Sequence, residues 1–216
     1  MQKYEDKHML IKWLAIGFLV LLALVIIVTL YVTGTEWQQS QVHRDFVAEQ
    51  QTSTDEVGKS AVIVFSRSGS TSVLANHIAA KQNARLIEIN AKDYDLGVPG
   101  WLSALADARN HVADITPENL DLTEFDTIYL GSPIWLYSPA PPIWQVVQNN
   151  DFSGKHVVLF NTFNSKFEQT FIDDFKKLVI QKGAISFEHQ YVKRGRMGAQ
   201  LSVFEMLSVF DNKYPG

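Results

Sequence analysis

The chain has 216 residues, with 19 Lys plus Arg against 23 Asp plus Glu, a formal net charge of −4 and 46% hydrophobic residues. That length suits one domain with an attachment and leaves too little for two full domains. There is no Cys, which excludes disulfides, thiolate zinc sites, Cys nucleophiles and cysteine-ligated iron–sulfur clusters. The acidic balance lacks the basic footprint of a nucleic-acid binder.

Hydrophobicity is concentrated near the start. No charged residue falls between Lys12 and Glu36, and Trp13–Thr33 reads WLAIGFLVLLALVIIVTLYVT. At about 1.5 Å per residue these 21 residues span a hydrocarbon core of roughly 30 Å. Trp13 and Tyr31 stand near its two ends, where amphipathic rings favour the headgroup layer. A signal peptide has a shorter apolar core, about 7–15 residues, and a small-residue cleavage site; only Val32-Thr33-Gly34 comes near one. A buried core helix would not be apolar on every face. An uncleaved single-pass anchor is therefore expected.

Lys3, Lys7 and Lys12 precede the span, and Arg44 is the only Lys or Arg in the twenty residues after it. This asymmetry predicts a cytoplasmic N-terminus in a plasma membrane of bacterial type, with the remainder on the outer or periplasmic side. The expected organisation is a tail over 1–12, an anchor over 13–33, a polar stem over 34–59 and a domain over 60–216. The stem is Gln-rich with few apolar residues; a short helix over Gln41–Gln51 is conceivable, but the composition reads as a linker. From Ala61 onward there are 14 Lys plus Arg against 16 Asp plus Glu, a nearly neutral domain long enough to bury a core.

Within the domain, apolar runs alternate with helical patterns. Ala61–Phe65 (AVIVF) is a continuous apolar strand of the kind covered on both faces. Thr71–Gln82 has helical spacing, Arg85–Asn90 alternates as a strand, and Pro99–Val112 is a helix opened by proline. A third strand, Thr127–Leu130, runs into Gly131-Ser132-Pro133 and is followed by a helix from Pro142 to Gln148. His156–Phe160 is the fourth strand. Phe167–Gln181 is a helix with Phe171, Ile172, Phe175, Leu178 and Val179 on one face. Ala184–Val192 is a fifth strand, and Gly198–Phe210 a closing helix. Strict alternation implies an α/β fold with a doubly wound parallel sheet, whose ligands bind beyond the carboxyl ends of the strands.

Three strand ends carry groups suited to a ligand. After the first strand, Ser66-Arg67-Ser68-Gly69-Ser70-Thr71 supplies four hydroxyls and a glycine at a helix N-terminus, an anion cradle for a small phosphate monoester. It is neither a Walker A loop nor G-x-G-x-x-G; a plain helix-capping turn explains the same residues. After the third strand, Ser132-Pro133-Ile134-Trp135-Leu136-Tyr137 opens a loop that holds four prolines by Pro142. Its prolines stiffen it, and Trp135 and Tyr137 offer flat faces to a ring. After the fourth strand, Asn161-Thr162-Phe163-Asn164-Ser165-Lys166 sets amide and hydroxyl groups around one aromatic. The six His show no metal-ligand spacing, and Lys193-Arg194-Gly195-Arg196 is a basic run that suits solvent, an acidic partner, a nucleotide phosphate or a membrane surface.

Ser66-x-Ser-Gly-x-Thr, Gly131-Ser-Pro-Ile-Trp and the strand-four loop together resemble the flavodoxin family over roughly Ala61 to Phe210. The resemblance implies a five-stranded flavodoxin-like sheet of order 2-1-3-4-5 and noncovalent FMN. Ser66, Ser68, Gly69, Ser70 and Thr71 would hold the phosphate, with the Arg67 side chain facing solvent. The 132–138 loop would cover one face of the isoalloxazine, Trp135 stacking, and Asn161–Ser165 would border its pyrimidine edge. Two features depart from the family. One-electron shuttling in flavodoxins relies on Gly or another permissive residue in the flavin loop, whereas positions 134–137 are Ile, Trp, Leu and Tyr, which resist positive φ. The strand-four loop also lacks Gly, so Phe163 either stacks on the flavin or blocks it.

Three functions remain open at this point. One is a membrane-anchored electron-transfer flavoprotein serving membrane quinones or an anchored partner. A second is an FMN-dependent NAD(P)H or quinone oxidoreductase working by hydride transfer. The third is a flavin-free anchored interaction module whose pocket is filled by Phe163.

Overall fold

The computed structural model describes residues 2–50, 58–196 and 199–215. Helix α1 (Gln2–Gln50) is continuous. It is followed by β1 (Ser60–Phe65), α2 (Ser70–Lys81), β2 (Arg85–Ile89), a 3-10 turn (Lys92–Tyr94), α3 (Val98–Asp107), β3 (Thr127–Trp135) and β4 (Ser138–Pro139). The chain continues as α4 (Pro141–Asn149), β5 (His156–Phe163), α5 (Gln169–Gln181), β6 (Ser186–Lys193) and α6 (Val203–Lys213).

Five parallel strands lie in the order β2-β1-β3-β5-β6, the doubly wound order expected for five strands; the sixth, β4, pairs off this path with the end of β3. Alternate residues of the central strands feed two cores. Ile63, Phe65, Leu130 and Leu159 pack with α4 and α5 on one face. Val62, Val64 and Phe160 pack with α2 and α6 on the other. Such continuous apolar strands need both faces covered.

Several boundaries differ from the sequence reading. β3 runs five residues past Leu130 because Gly131, Ser132 and Pro133 stay paired with β5 and Ile134 and Trp135 pair back onto β4. β5 likewise continues through Asn161, Thr162 and Phe163, which pair with β6. Helix α3 stops at Asp107, short of Val112. Gly198, the expected start of the last helix, lies outside the described residues; α6 begins at Val203 behind a Ser202/Glu205 capping box, which satisfies two terminal N–H groups reciprocally.

The largest difference is in α1. Its most apolar stretch has a mean hydropathy of 3.0 and none of it is buried. The segment read as a polar stem is helical through Gln50, while residues 51–57 lie outside the described residues. Ser40 and His43 are buried, and Phe46 and Val47 join the core formed by α2 and α6. Hydropathy missed this face because its contacts at 36, 40 and 43 keep helical spacing through polar side chains before Phe46 and Val47 add apolar ones.

Candidate cofactor site

The carboxyl ends of β1, β3 and β5 bring the three loops to one cavity of about 350 Å3, within the size range of small-molecule sites. On its first wall, Gly69 precedes α2 with φ +85°. A Cβ there would stand 2.6 Å from that of His43, so glycine serves both the left-handed turn and the approach of α1. His43 Nδ1 lies 2.7 Å from the Ser68 carbonyl oxygen. The Thr71 N–H donates to Ser66 Oγ at 3.2 Å, and the Thr71 hydroxyl shares a 2.8 Å bond with that of Thr162, linking the first loop to the third. The N-cap of α2, Gly69, has no side chain to cap it. Ser70 is 2% exposed, and its buried Oγ has no hydrogen-bond partner among the described residues. A buried hydroxyl without a partner costs free energy unless a ligand completes it.

Arg67 does not face solvent as the resemblance suggested. Its guanidinium pairs with Glu36 of α1 at 2.5 Å, with side-chain exposures of 8% and 14%. It also donates to the carbonyls of Tyr94 and Gly97, each at 3.1 Å. The reason is the arrival of α1 over the loop, which the linker reading of the stem did not anticipate. The second carboxylate oxygen of Glu36 is buried without a partner among the described residues, and Glu36 lines the cavity.

On the second wall, Trp135 is held edge-on by Phe65 and Tyr94, with ring centroids 5.6 and 5.1 Å away. Burial, followed by the charge of Asp107, pushes Tyr94 up to about 12, so its hydroxyl stays protonated at neutral pH. Leu136 and Tyr137 have φ of 40° and 79°. The expectation that they resist positive φ is therefore overturned. They are the two central residues between β3 and β4, and a two-residue hairpin of type I′ requires positive φ at both. The turn is tied down by the Ile134–Pro139 and Trp135–Ser138 pairs and by the Glu168 N–H, which donates to the Tyr137 carbonyl at 3.0 Å. Trp144 Nε1 donates to Pro139 O at 3.0 Å beneath it.

On the third wall, Phe163 is 7% exposed and packs against Phe167 and Tyr191 at 5.5 and 5.6 Å, so it borders the cavity and leaves it open. Thr162 and Asn164 also line it. Asn161 does not: it is fully buried, donates to the Ser132 carbonyl and meets His189 Nε2. Nor do Gly69 and Ser132 line the cavity. The Ser132 hydroxyl accepts from the Ala140 N–H, and at the preceding Gly131 a Cβ would drive into the Phe160 ring. The cavity thus gathers Ser66, Arg67, Ser68, Ser70, Thr71, Pro133, Ile134, Trp135, Leu136, Tyr137, Thr162, Phe163 and Asn164.

Glu36, Trp101 and Leu105 line the same space without having been singled out from the sequence, and so do Lys166, noted only as the end of the strand-four loop, and Arg194, noted only within the basic run. Arg194 is 8% exposed; burial pushes its guanidinium down to about 10, still charged at neutral pH. It is close enough to act electrostatically on His43, which touches the first loop. The basic run at 193–196 was the available signal. Lys166 Nζ lies 4.9 Å from the Tyr137 ring centroid, over the flank of the turn.

A hydroxyl-lined helix N-terminus, a buried cation and a rigid aromatic wall meet at the carboxyl edge of a doubly wound sheet, the edge at which ligands of such sheets bind. The comparisons agree in class: the family model for Flavodoxin matches residues 59–187. The chain belongs to the flavodoxin family. Among solved structures it is similar to a Bacteroides uniformis protein proposed to be a flavoprotein, with 22% identity and a TM-score of 0.51 over 64% of this chain and 93% of that one. A similarly proposed protein of Bacteroides eggerthii has 21% identity and a TM-score of 0.52 over 70% and 97%. A Lactobacillus acidophilus flavoprotein solved in complex with FMN has 22% identity and a TM-score of 0.48 over 61% and 92%. At these identities the likeness is one of fold. No curated protein matches the chain.

Proposed function

We propose that this chain is a membrane-anchored, FMN-binding electron-transfer protein. The observation that carries the reading is the buried Ser70 hydroxyl, without a partner among the described residues, at the glycine-capped N-terminus of α2, inside a cavity of suitable size in a flavodoxin-family domain. Bound FMN supplies the redox chemistry. The protein's part is to hold and orient it. Ser66, Ser68, Ser70 and Thr71 with the first-turn N–H groups take the phosphate, and the buried Arg194 adds positive charge on that side. Glu36 Oε2 is an acceptor suited to hydroxyls of the polyol chain rather than to the phosphate. Trp135, fixed by Phe65 and Tyr94, and Tyr137 form the ring wall. Trp13–Thr33 crosses the membrane, and the lysine asymmetry supports an outward-facing domain. Alkaline phosphatase fused after Gly216 is then active in a bacterial host; an inactive fusion beside an active cytoplasmic reporter overturns that orientation.

The hairpin turn favours a second reading. Rotating the Leu136–Tyr137 peptide would convert the positive–positive turn to type II′, whose first central position belongs to glycine. Leu136 therefore holds that peptide in one orientation, and a locked peptide suits two-electron oxidoreductase chemistry on NAD(P)H or a quinone. Anaerobic reductive titration of the FMN-loaded full chain separates the two. A stable one-electron-reduced absorbance supports electron transfer, and direct passage to the fully reduced form supports the oxidoreductase.

A further inference from the structure

Helix α1 fixes which edge of the domain meets the membrane. Followed backwards, Val47 and Phe46 pack beside α2 and α6, His43 reaches the loop after β1, and Glu36 reaches Arg67 at the cavity. The helix thus climbs past the carboxyl edge of the sheet without a break. Thr33, the last residue of the apolar span, is about 4.5 Å farther along its axis at about 1.5 Å per residue. Arg67 joins this point to α3: the guanidinium that pairs with Glu36 also donates to the carbonyl of Gly97, the residue preceding α3. Helix α3 therefore begins on the side of the domain where α1 leaves it, tied through one guanidinium to a residue three positions after the end of the span.

From that position α3 presents an uncovered apolar face. Val98, Trp101, Leu102 and Leu105 are 37%, 42%, 55% and 39% exposed at i, i+3, i+4 and i+7, while Gly100 and Ala104 turn inward. Trp101 and Leu105 also line the cavity. Beyond α1, at the same edge, Phe204 is 80% exposed near Gln200, whose side chain accepts from Gln39 of α1. Exposed charges at this edge are mixed: Lys166, Lys193 and Arg196 against Asp93 and Asp95. The apolar side chains rather than net charge distinguish the surface. A helix with one apolar face and a Trp at its margin is suited to lie in the headgroup region.

We propose that the exposed face of α3, Val98, Trp101, Leu102 and Leu105, is a second membrane contact that rests in the lipid interface beside the exit of α1. The cofactor cavity then opens along the lipid surface. This inference rests on the anchor reading of Trp13–Thr33, and the test separates the two. Because the chain has no Cys, single substitutions Leu102→Cys, Val98→Cys, Leu22→Cys and Ile185→Cys each give one labelling position for an environment-sensitive fluorophore. Ile185 is 61% exposed and precedes β6 at the opposite edge of the sheet. The full chain is reconstituted in phosphatidylcholine–phosphatidylglycerol vesicles containing nitroxide lipids.

The expected result is at least twofold stronger quenching of the Leu102→Cys and Val98→Cys labels than of the Ile185→Cys label. A nitroxide near the headgroup outperforms a deep one at 98 and 102, and the order reverses at 22. Strong quenching at 22 with 98 and 102 no different from 185 overturns the α3 contact and leaves the anchor standing. No quenching at 22 overturns both.

Discussion

From Trp13 to Thr33 the side chains of α1 are almost all exposed, whereas from Glu36 to Val47 the same unbroken helix is built into the domain. In the first half, apolarity on every face makes lipid the favourable surroundings. In the second, a polar face with helical spacing is buried by specific partners: Glu36 by Arg67, Gln39 by Gln200, His43 by the Ser68 carbonyl. Composition alone exposes the first kind of burial and conceals the second. The cavity is therefore lined by a residue of α1, Glu36, as well as by the domain.

The two halves can be broken separately. Leu22→Arg, Val25→Arg and Ile26→Arg together place three charges in the span, each costing about 2.5–3.5 kcal/mol at a helix centre. They are expected to move the chain out of the membrane fraction while leaving the domain's melting temperature in detergent within about 1 °C of wild type, a shift well under 1 kcal/mol. Membrane fractionation beside a detergent melt checks both halves of that statement. Glu36→Ala should do the opposite. It leaves the Arg67 guanidinium buried without its carboxylate, a loss of about 3 kcal/mol, which lowers the melting temperature by roughly 6–12 °C without altering fractionation. Replacing both partners, Glu36→Leu with Arg67→Met, should recover most of that loss.

Smaller effects sharpen the picture of the domain side. Burial, with a contribution from Lys213, pushes His189 down to about 4 from an ordinary 6.5. The unfolded chain then takes up this proton at a higher pH than the folded one does. Stability is full above about 6.5, falls as pH drops towards about 4, and changes no further through this group below that. Melts across that range should show the decline, and His189→Gln should flatten it. The smallest change is expected at the turn: Leu136→Asn tolerates positive φ better and should relieve about 1 kcal/mol of strain, raising the melting temperature by about 2–4 °C.

The sheet was legible in the sequence because strands covered on both faces must be apolar throughout, as in Ala61–Phe65 and His156–Phe160. The apolar stretch of α1 was legible for the same reason carried to its limit. Strand ends were not, since Gly131-Ser132-Pro133 and Asn161-Thr162-Phe163 look like turns and yet remain in register with their neighbours. The first loop's hydroxyls pointed to an anion, but Arg67 was misjudged because its partner lies 31 residues earlier in a segment with no apolar signal. The turn at Leu136 and Tyr137 was misjudged because residue preference yields when paired strands on both sides dictate the connection. Arg194 was visible only as part of a basic run, and burial alone singles it out.

Titrating the purified full chain in detergent with FMN, and following its near-ultraviolet and blue absorbance, is the most direct measurement. The expected result is saturable flavin binding at one FMN per chain that Ser70→Asp weakens by about 100-fold, since a carboxylate replaces a donor to the phosphate. No flavin bands and no change on adding FMN, or equal binding by the wild type and Ser70→Asp, would contradict a cofactor site at the head of α2.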